Sequence, residues 1–324
     1  MSKERIGLLF GGKSGEHEVS LVSAASVYTH IDTSRFEPVL IGIDRDGRWY
    51  HQKKPALNDD KSALVMDTNP QQLISVLPGQ GLWTGEGRLG LAAVFPVLHG
   101  TFGEDGTIQG LLEVASIPYV GAGVLGSSLG MDKAMVKRVW IESGLSTIPF
   151  QEVKRHELDS EDSIAALIER IARRFDFPLF VKPSRSGSSV GVTRATNADE
   201  LQHALFTAFK FDTKAMVEPE VTGREVECSV VGNELPEAYA VGEIVPTHEH
   251  KFYDYDAKYL DPDGALLRVP APLSSETTAA VQELALAAYT CADIEGFARI
   301  DFFVTEEDRV MLNEINTIPG FTNI

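Results

Sequence analysis

The segment ARIDFFVTEEDRVMLNEINTIPGFTNI, residues 298–324, contains two short apolar runs, each carrying polar groups two positions apart. Successive side chains of a strand point to opposite faces, so Arg299 and Asp301 share a face of the first run, and Glu314 and Asn316 share a face of the second. Asp301, Glu314 and Asn316 offer three oxygen-bearing side chains. Such a set suits Mg²⁺, which takes a few protein oxygens and completes its octahedron with water and substrate phosphate. A neutral amide in place of a third carboxylate keeps the site less negative, which helps when an anionic nucleotide shares it. The plain alternative is a pair of edge strands with solvated polar faces.

Composition narrows the function classes. With 324 residues, two or three domains of roughly 100–150 residues are expected. Hydrophobic residues at 43% and charged residues at 23% supply enough apolar material for a packed core and exclude a wholly disordered chain. The formal net charge of −18 argues against nucleic acid as a partner, because neutralising its phosphates takes a surplus of lysine and arginine. A phosphate ligand has to be met by a few placed cations. The two cysteines, Cys228 and Cys291, sit in apolar patterns and read as buried thiols in a reducing compartment. The opening MSKERIGLLFGG is too short in apolar residues for a signal-peptide core, and no run approaches about 18 apolar residues. A soluble cytoplasmic protein without a membrane partner is the expectation.

RIGLLF, GGKSGEHEVS and LVSAASVYTHI read as strand, loop and helix. EPVLIGID and AAVFPVLHG add strands and GTIQGLLEVAS a helix, which makes the first ~120 residues an α/β unit with a mainly parallel sheet. GQGLWTGEGRLG, between the last two strands, reads as a glycine-rich surface stretch. Residues 127–143 have the spacing of one helix closing at Gly144, and Pro149 opens a new strand. A helix EDSIAALIERIARRF, a strand PLFVKP, a loop SRSGSS, a strand VGVTRA and a helix capped by Asn197 with Glu200 as a capping box then form a small antiparallel α+β module. AMVEPEV, REVECSVVG, EAYAVGEIV, LLRVPAP, a helix over 275–293 and the two closing strands complete the chain. The expected division is 1–125, 126–215 and 216–324.

Two glycine-rich stretches compete for a nucleotide. GAGVLG, residues 121–126, fits the spacing of a dinucleotide fingerprint and would make a nicotinamide-dependent dehydrogenase. The fingerprint also needs a second strand ending in an acidic residue about 20 residues on, whereas this helix runs to Gly144 with Glu142 still on it. A turn feeding a helix N-terminus accounts for the motif. VKPSRSGSSVG, residues 181–191, lets backbone N–H groups approach a phosphate, with Lys182 at the strand end. It lacks the Walker A spacing and joins two strands. In so acidic a chain, the gathering of Lys133, Lys182 and Arg185 around glycine-rich turns favours a phosphate site over a plain flexible hairpin.

With these pieces assembled, the chain resembles the D-alanine–D-alanine ligases of the ATP-grasp superfamily. The resemblance rests on GGKSGEHEVSL, LHGTFGEDGTIQG, MDK, VKPSRSGSSVG, GREVECSV, FYDYDAKYL, ARIDFF and NEINTIPGFT, in order along the whole chain. It implies an ATP-grasp fold of α/β and α+β parts, preceded by an N-terminal Rossmann-like parallel α/β domain. It implies ATP as substrate, two Mg²⁺ (or Mn²⁺) at Asp301, Glu314 and Asn316, a homodimer, and a place in cell-wall precursor synthesis.

By the same resemblance, Lys133 and Lys182 contact nucleotide phosphates, Glu218 lies in the adenine-binding strand and Glu225 meets the ribose hydroxyls. Glu16 holds the ammonium of the first D-alanine, an acceptor-only anion being suited to that task. His99 lies beside that pocket. Arg299 and the backbone of Gly320 form an oxyanion hole. Ser188 and Tyr259 make a hydrogen-bonded triad with Glu16, and Lys258 reaches the transferring phosphate. Glu18 and Glu104 are equally readable as scaffold carboxylates or ligands. Pro219 stands where some relatives carry a lysine that touches adenine.

A D-serine- or D-lactate-adding relative is the nearest alternative; FYDYDAKYLD, with Lys258 and Tyr259, resembles the dialanine enzymes. Family members usually continue for some tens of residues past PGFT, with a serine that receives the carboxylate of the second D-alanine. A form ending at residue 324 is therefore expected to bind ATP and metal but to ligate weakly.

Overall fold

The first apolar run becomes β1 (Glu4–Gly11), buried continuously from Gly7 onward, as a parallel strand covered on both faces must be. It leads into α1 (His17–His30), β2 (Phe36–Ile43) and the antiparallel edge strand β3 (Trp49–His51). A small pair, β4 (Ala56–Leu57) and β5 (Leu64–Val65), precedes a meander of β6 (Ser75–Leu77), β7 (Gly81–Thr84) and β8 (Gly87–Arg88). After β9 (Ala93–Pro96), the sheet order is β3-β2-β1-β9, with β1 parallel to both neighbours. Strand alternation sorts the core: Leu9, Ile41 and Val94 pack on one side with Leu112 of α2 (Thr107–Val114), while Leu8, Phe10 and Leu40 pack on the other with Ala24 and Ala25 of α1.

The structure, a computed structural model, describes residues 3–247 and 264–321. The chain divides into two units: Met1–Ser128 with Asp293–Ala298 and Thr317–Ile324, and Leu129–Ala292 with Arg299–Asn316. The late segments join the first unit through three aromatic rings. Phe95, Phe297 and Phe321 meet edge to face with centroids 5.7–6.0 Å apart, the arrangement that ring quadrupoles favour.

In the second unit, α3 (Val124–Met131) runs in from the first and α4 (Lys133–Glu142) follows. The sheet β10-β13-β11-β12 is built from β10 (Gln151–Lys154), β11 (Leu179–Pro183), β12 (Thr193–Ala195) and β13 (Lys214–Pro219). It is antiparallel throughout and covered by α5 (Glu161–Ala172) and α6 (Ala198–Ala208) through Leu167, Ile171, Leu201 and Leu205. The second sheet, β16-β15-β14-β17-β18, takes β14 (Arg224–Val231), β15 (Glu237–Pro246), β16 (Ala265–Arg268), β17 (Phe297–Val304) and β18 (Val310–Asn316). Val281, Ala285, Ala288 and Tyr289 form the buried face of α7 (Ser275–Cys291).

Three expectations change. Residues 127–143 are two helices, because Asp132 leaves helical geometry and its carboxylate accepts from the Met135 N–H, starting α4 afresh. GQGLWTGEGRLG holds strands β7 and β8 of the meander, and Leu82 and Leu89 within it are core residues. At α6, the Asn197 side chain accepts from the Glu200 N–H as expected, but the Glu200 carboxylate accepts from the N–H of Thr196, so the box does not close on Asn197.

Candidate active site

Two adjoining cavities, of about 130 and about 750 Å³, open in the second unit and share Phe180, Lys182, Glu225, Ile244 and Phe303 as walls. Lys133, Ser188, Arg299, Asp301 and Glu314 line the smaller one, and Glu218 lines the larger. Ser188 comes from the loop between β11 and β12, and the others come from strands or a helix start. Lys133 is the first residue of α4, Lys182 is next to the end of β11, Glu218 is on β13 and Glu225 on β14. A helix N-terminus and a strand end are positions where short side chains and backbone N–H groups meet a ligand.

The loop between β11 and β12 is fastened at its root. Ser184 donates to Asp132, the Lys133 N–H bonds the Ser184 carbonyl at 3.0 Å, and the Lys133 ammonium donates to the Ser186 carbonyl at 2.9 Å. Lys214 pairs with the same Asp132 carboxylate. Arg185 binds Asp212 through its backbone N–H and its guanidinium. Burial alone would push the Asp212 carboxyl up; Arg185 outweighs it and holds that carboxyl below the ordinary range. Arg185 thus anchors the loop, a role the sequence reading had not given it. Further out, Ser188 and Ser189 both take left-handed backbone (φ 48° and 58°), a conformation unusual for residues with a Cβ.

Strand register builds the acidic face. Asp301 lies opposite Glu314 and Arg299 opposite Asn316 across β17 and β18, so all four side chains share one side. Arg299 grips Asp301 with two hydrogen bonds, at 2.7 and 2.8 Å, and reaches Glu227 at 3.1 Å. Although burial works against its charge, these carboxylates hold the Arg299 pKa well above its usual value. Asn316 donates to Asp301 at 3.0 Å, and Glu314 lies 3.2 Å from the Lys133 ammonium. Two carboxylates and one amide form a hard, sparse donor set, which leaves most of an octahedral ion's shell to water and phosphate oxygens. The set fits Mg²⁺ or Mn²⁺.

Sequence reasoning missed Lys137. One turn beyond Lys133 on α4, it is fully buried and ion-paired with Glu218, whose other oxygen lies 2.8 Å from Lys182. The i, i+4 spacing of the two lysines was visible, but a lysine in an amphipathic helix is ordinarily a solvated one.

In the first unit, Glu16 precedes α1 and is only 8% exposed, with its carboxylate at the helix N-terminus, where the macrodipole favours an anion. It lies against Gly100, whose left-handed φ of 72° and missing Cβ make the room: a Cβ there would overlap the Glu16 carboxylate. His99 donates from Nδ1 to the Ile318 carbonyl at 3.1 Å and pairs through Nε2 with Ser23 at 2.9 Å. The Ile318 bond requires a proton on Nδ1, so in the neutral ring Nε2 accepts from the Ser23 hydroxyl. Glu104 accepts from the N–H groups of Gly100 and Ile318, at 2.6 and 3.3 Å. Glu18 is exposed and pairs with Arg45 at 2.7 Å. Gly320 belongs to this unit. Lys258 and Tyr259 lie outside the described residues.

Comparison with known proteins identifies the family. Residues 5–122 match the family described as D-ala D-ala ligase N-terminus, and residues 139–324 match D-ala D-ala ligase C-terminus. The D-alanine--D-alanine ligase of Treponema denticola is 44% identical, covering 98% of this chain and 88% of the relative. D-alanine--D-alanine ligase A of Escherichia coli is 42% identical, covering 100% and 89%. Among solved structures, the D-alanine-D-alanine ligase from Coxiella burnetii superposes with a TM-score of 0.84 at 33% identity, covering 100% of this chain and 87% of that one. The VanG D-Ala:D-Ser ligase from Enterococcus faecalis gives 0.83 at 35%, covering 99% and 92%. The fold is of the ATP-grasp type, and the chain belongs to the D-alanine–D-alanine ligase family.

Proposed function

We propose that the protein joins two D-alanines to D-alanyl-D-alanine at the expense of ATP, in the cytoplasm, as a step in building the bacterial cell wall. The observation that carries this reading is the pairing, within one cleft, of two phosphate-facing lysines, Lys133 and Lys182, with the oxygen donors Asp301 and Glu314. Lys133 and Lys182 bind the nucleotide phosphates, Glu218 the base and Glu225 the ribose. Asp301, Glu314 and Asn316 would hold two Mg²⁺ or Mn²⁺; such ions neutralise the charge of the terminal phosphates when bound.

Glu16 holds the ammonium of the first D-alanine, with His99 beside it. A carboxylate is a poor electrophile, so the D-alanine carboxylate oxygen takes the γ-phosphoryl group of ATP, ADP departs, and the resulting acyl phosphate carries a leaving group. The amine of the second D-alanine attacks that carbonyl, and phosphate leaves. Arg299 and the Gly320 N–H donate to the developing oxyanion. Ser188 and Tyr259 complete a triad with Glu16, and Lys258 meets the transferring phosphate; together they keep water from the intermediate. Residues 126–215 and 216–324 act as the two halves of the grasp, with 1–125 as the substrate domain.

Assembly as a homodimer belongs to the same reading. Phe102, Leu111 and Val114 are large apolar side chains left exposed on the first unit, the kind of surface a second copy covers. No helix among the described residues is long and apolar enough to cross a membrane.

The test is phosphate release from ATP with D-alanine, D-serine or D-lactate as second substrate. Turnover with D-alanine is expected to exceed that with the other two; no turnover with D-alanine would overturn the reading.

A further inference from the structure

Lys137 is the most deeply buried charged side chain among the described residues: 0% exposed, and absent from the walls of both cavities. Its ammonium pairs with one oxygen of Glu218, itself 1% exposed, and the other oxygen of Glu218 takes Lys182 at 2.8 Å. Lys182 lines both cavities and reaches Asn313 at 3.3 Å. The three groups form a line from the core to the cleft, with one carboxylate between two ammoniums. Burying an ion costs several kcal/mol even after relaxation, and an apolar replacement for a buried pair is often no less stable. Packing alone is therefore a poor reason for a lysine here.

The charge count supplies a better one. Glu218 and Lys182, 2.8 Å apart, would by themselves be a neutral pair. With a charged Lys137 the trio carries a formal +1 and Glu218 is held from behind; burial pulls the Lys137 pKa down, and the Glu218 carboxylate opposes that pull. Burial would push the Glu218 carboxyl up, yet the two ammoniums keep it below the usual range, so it stays an anion in the core.

We propose that Lys137 is a positioning residue for the nucleotide: through Glu218 it aims Lys182 into the cleft and leaves that lysine's charge available to a phosphate. This rests on the nucleotide reading of the cleft above.

The probe is ADP with Mg²⁺, titrated calorimetrically into the full chain. Lys137→Met is expected to weaken ADP binding about tenfold or more, the scale of a charged hydrogen bond, while the KM for D-alanine at saturating ATP stays within about twofold. In a Glu218→Gln background the carboxylate through which Lys137 acts is gone, so adding Lys137→Met is expected to leave the ADP Kd unchanged. That pair lacks an uncompensated carboxylate and reads the coupling even where the single variant does not fold. A Lys137→Met protein with a lowered Tm and unchanged ADP affinity would overturn the proposal, as would a further tenfold loss in the Glu218→Gln background. An unmodified chain that binds no ADP would instead remove the nucleotide reading itself.

Discussion

The pocket around Glu16 and the cleft around Lys182 solve opposite electrostatic problems. In the first unit, the Glu16 carboxylate lies at the N-terminus of α1, Glu104 accepts from the backbone N–H groups of Gly100 and Ile318, and His99 bonds Ile318 and Ser23. In the second, Lys133 pairs with Glu314, Lys137 and Lys182 pair with Glu218, and Arg299 pairs with Glu227 and Asp301. An anionic pocket held by dipoles suits a ligand's ammonium. A wall of interleaved charges suits a polyanion that arrives with cations of its own. The strongly acidic chain thus concentrates cations in the cleft where a phosphate would bind.

The contrast breaks most sharply at Arg299. Arg299→Met removes a proposed oxyanion donor and leaves Asp301 without its bidentate partner, so kcat is expected to fall by roughly 10²–10³-fold in a phosphate-release assay; a fall under about threefold would show that Arg299 only balances charge. Lys133→Gln is expected to raise the KM for ATP about tenfold, more at low salt than at high, with the KM for D-alanine unmoved. Asp212→Asn sharpens the distinction between binding and anchoring, because Asp212 holds the loop root without lining either cavity.

A loss of roughly 1.5–3 kcal/mol in denaturant unfolding is expected for Asp212→Asn. The pH dependence has a definite sign. The Asp212 pKa is depressed in the folded state, so its contribution is present above the unfolded value near 3.9 and is lost as pH falls through the folded one. Asp212→Asn should therefore flatten the acid limb of stability while leaving neutral-pH ATP binding nearly intact. The smallest effect concerns Cys228, whose thiol burial pushes up to about 11; at pH 8 it should resist alkylation in the folded protein and react on unfolding.

Much of the fold was legible because the periodicities are clean. RIGLLF reads as a strand leading into a loop and helix, and the two-residue spacing puts Arg299 with Asp301 and Glu314 with Asn316, two pairs that the register then brings to one side. Local polar competition was harder to read: Asp132 interrupts a helical pattern that runs straight through it, because its carboxylate bonds to the next turn's backbone. Lys137 was invisible for another reason. A helix's sequence gives its faces, but which face meets a buried glutamate some 80 residues away depends on tertiary packing.

The most direct test of the two-site account is the kinetics of Glu16→Gln, with D-alanine and ATP varied independently in the phosphate-release assay. The account predicts that the KM for D-alanine rises about tenfold or more, the worth of a charged hydrogen bond, while the KM for ATP stays within about twofold. Equal rises in both constants, or no change in the D-alanine constant, would contradict it.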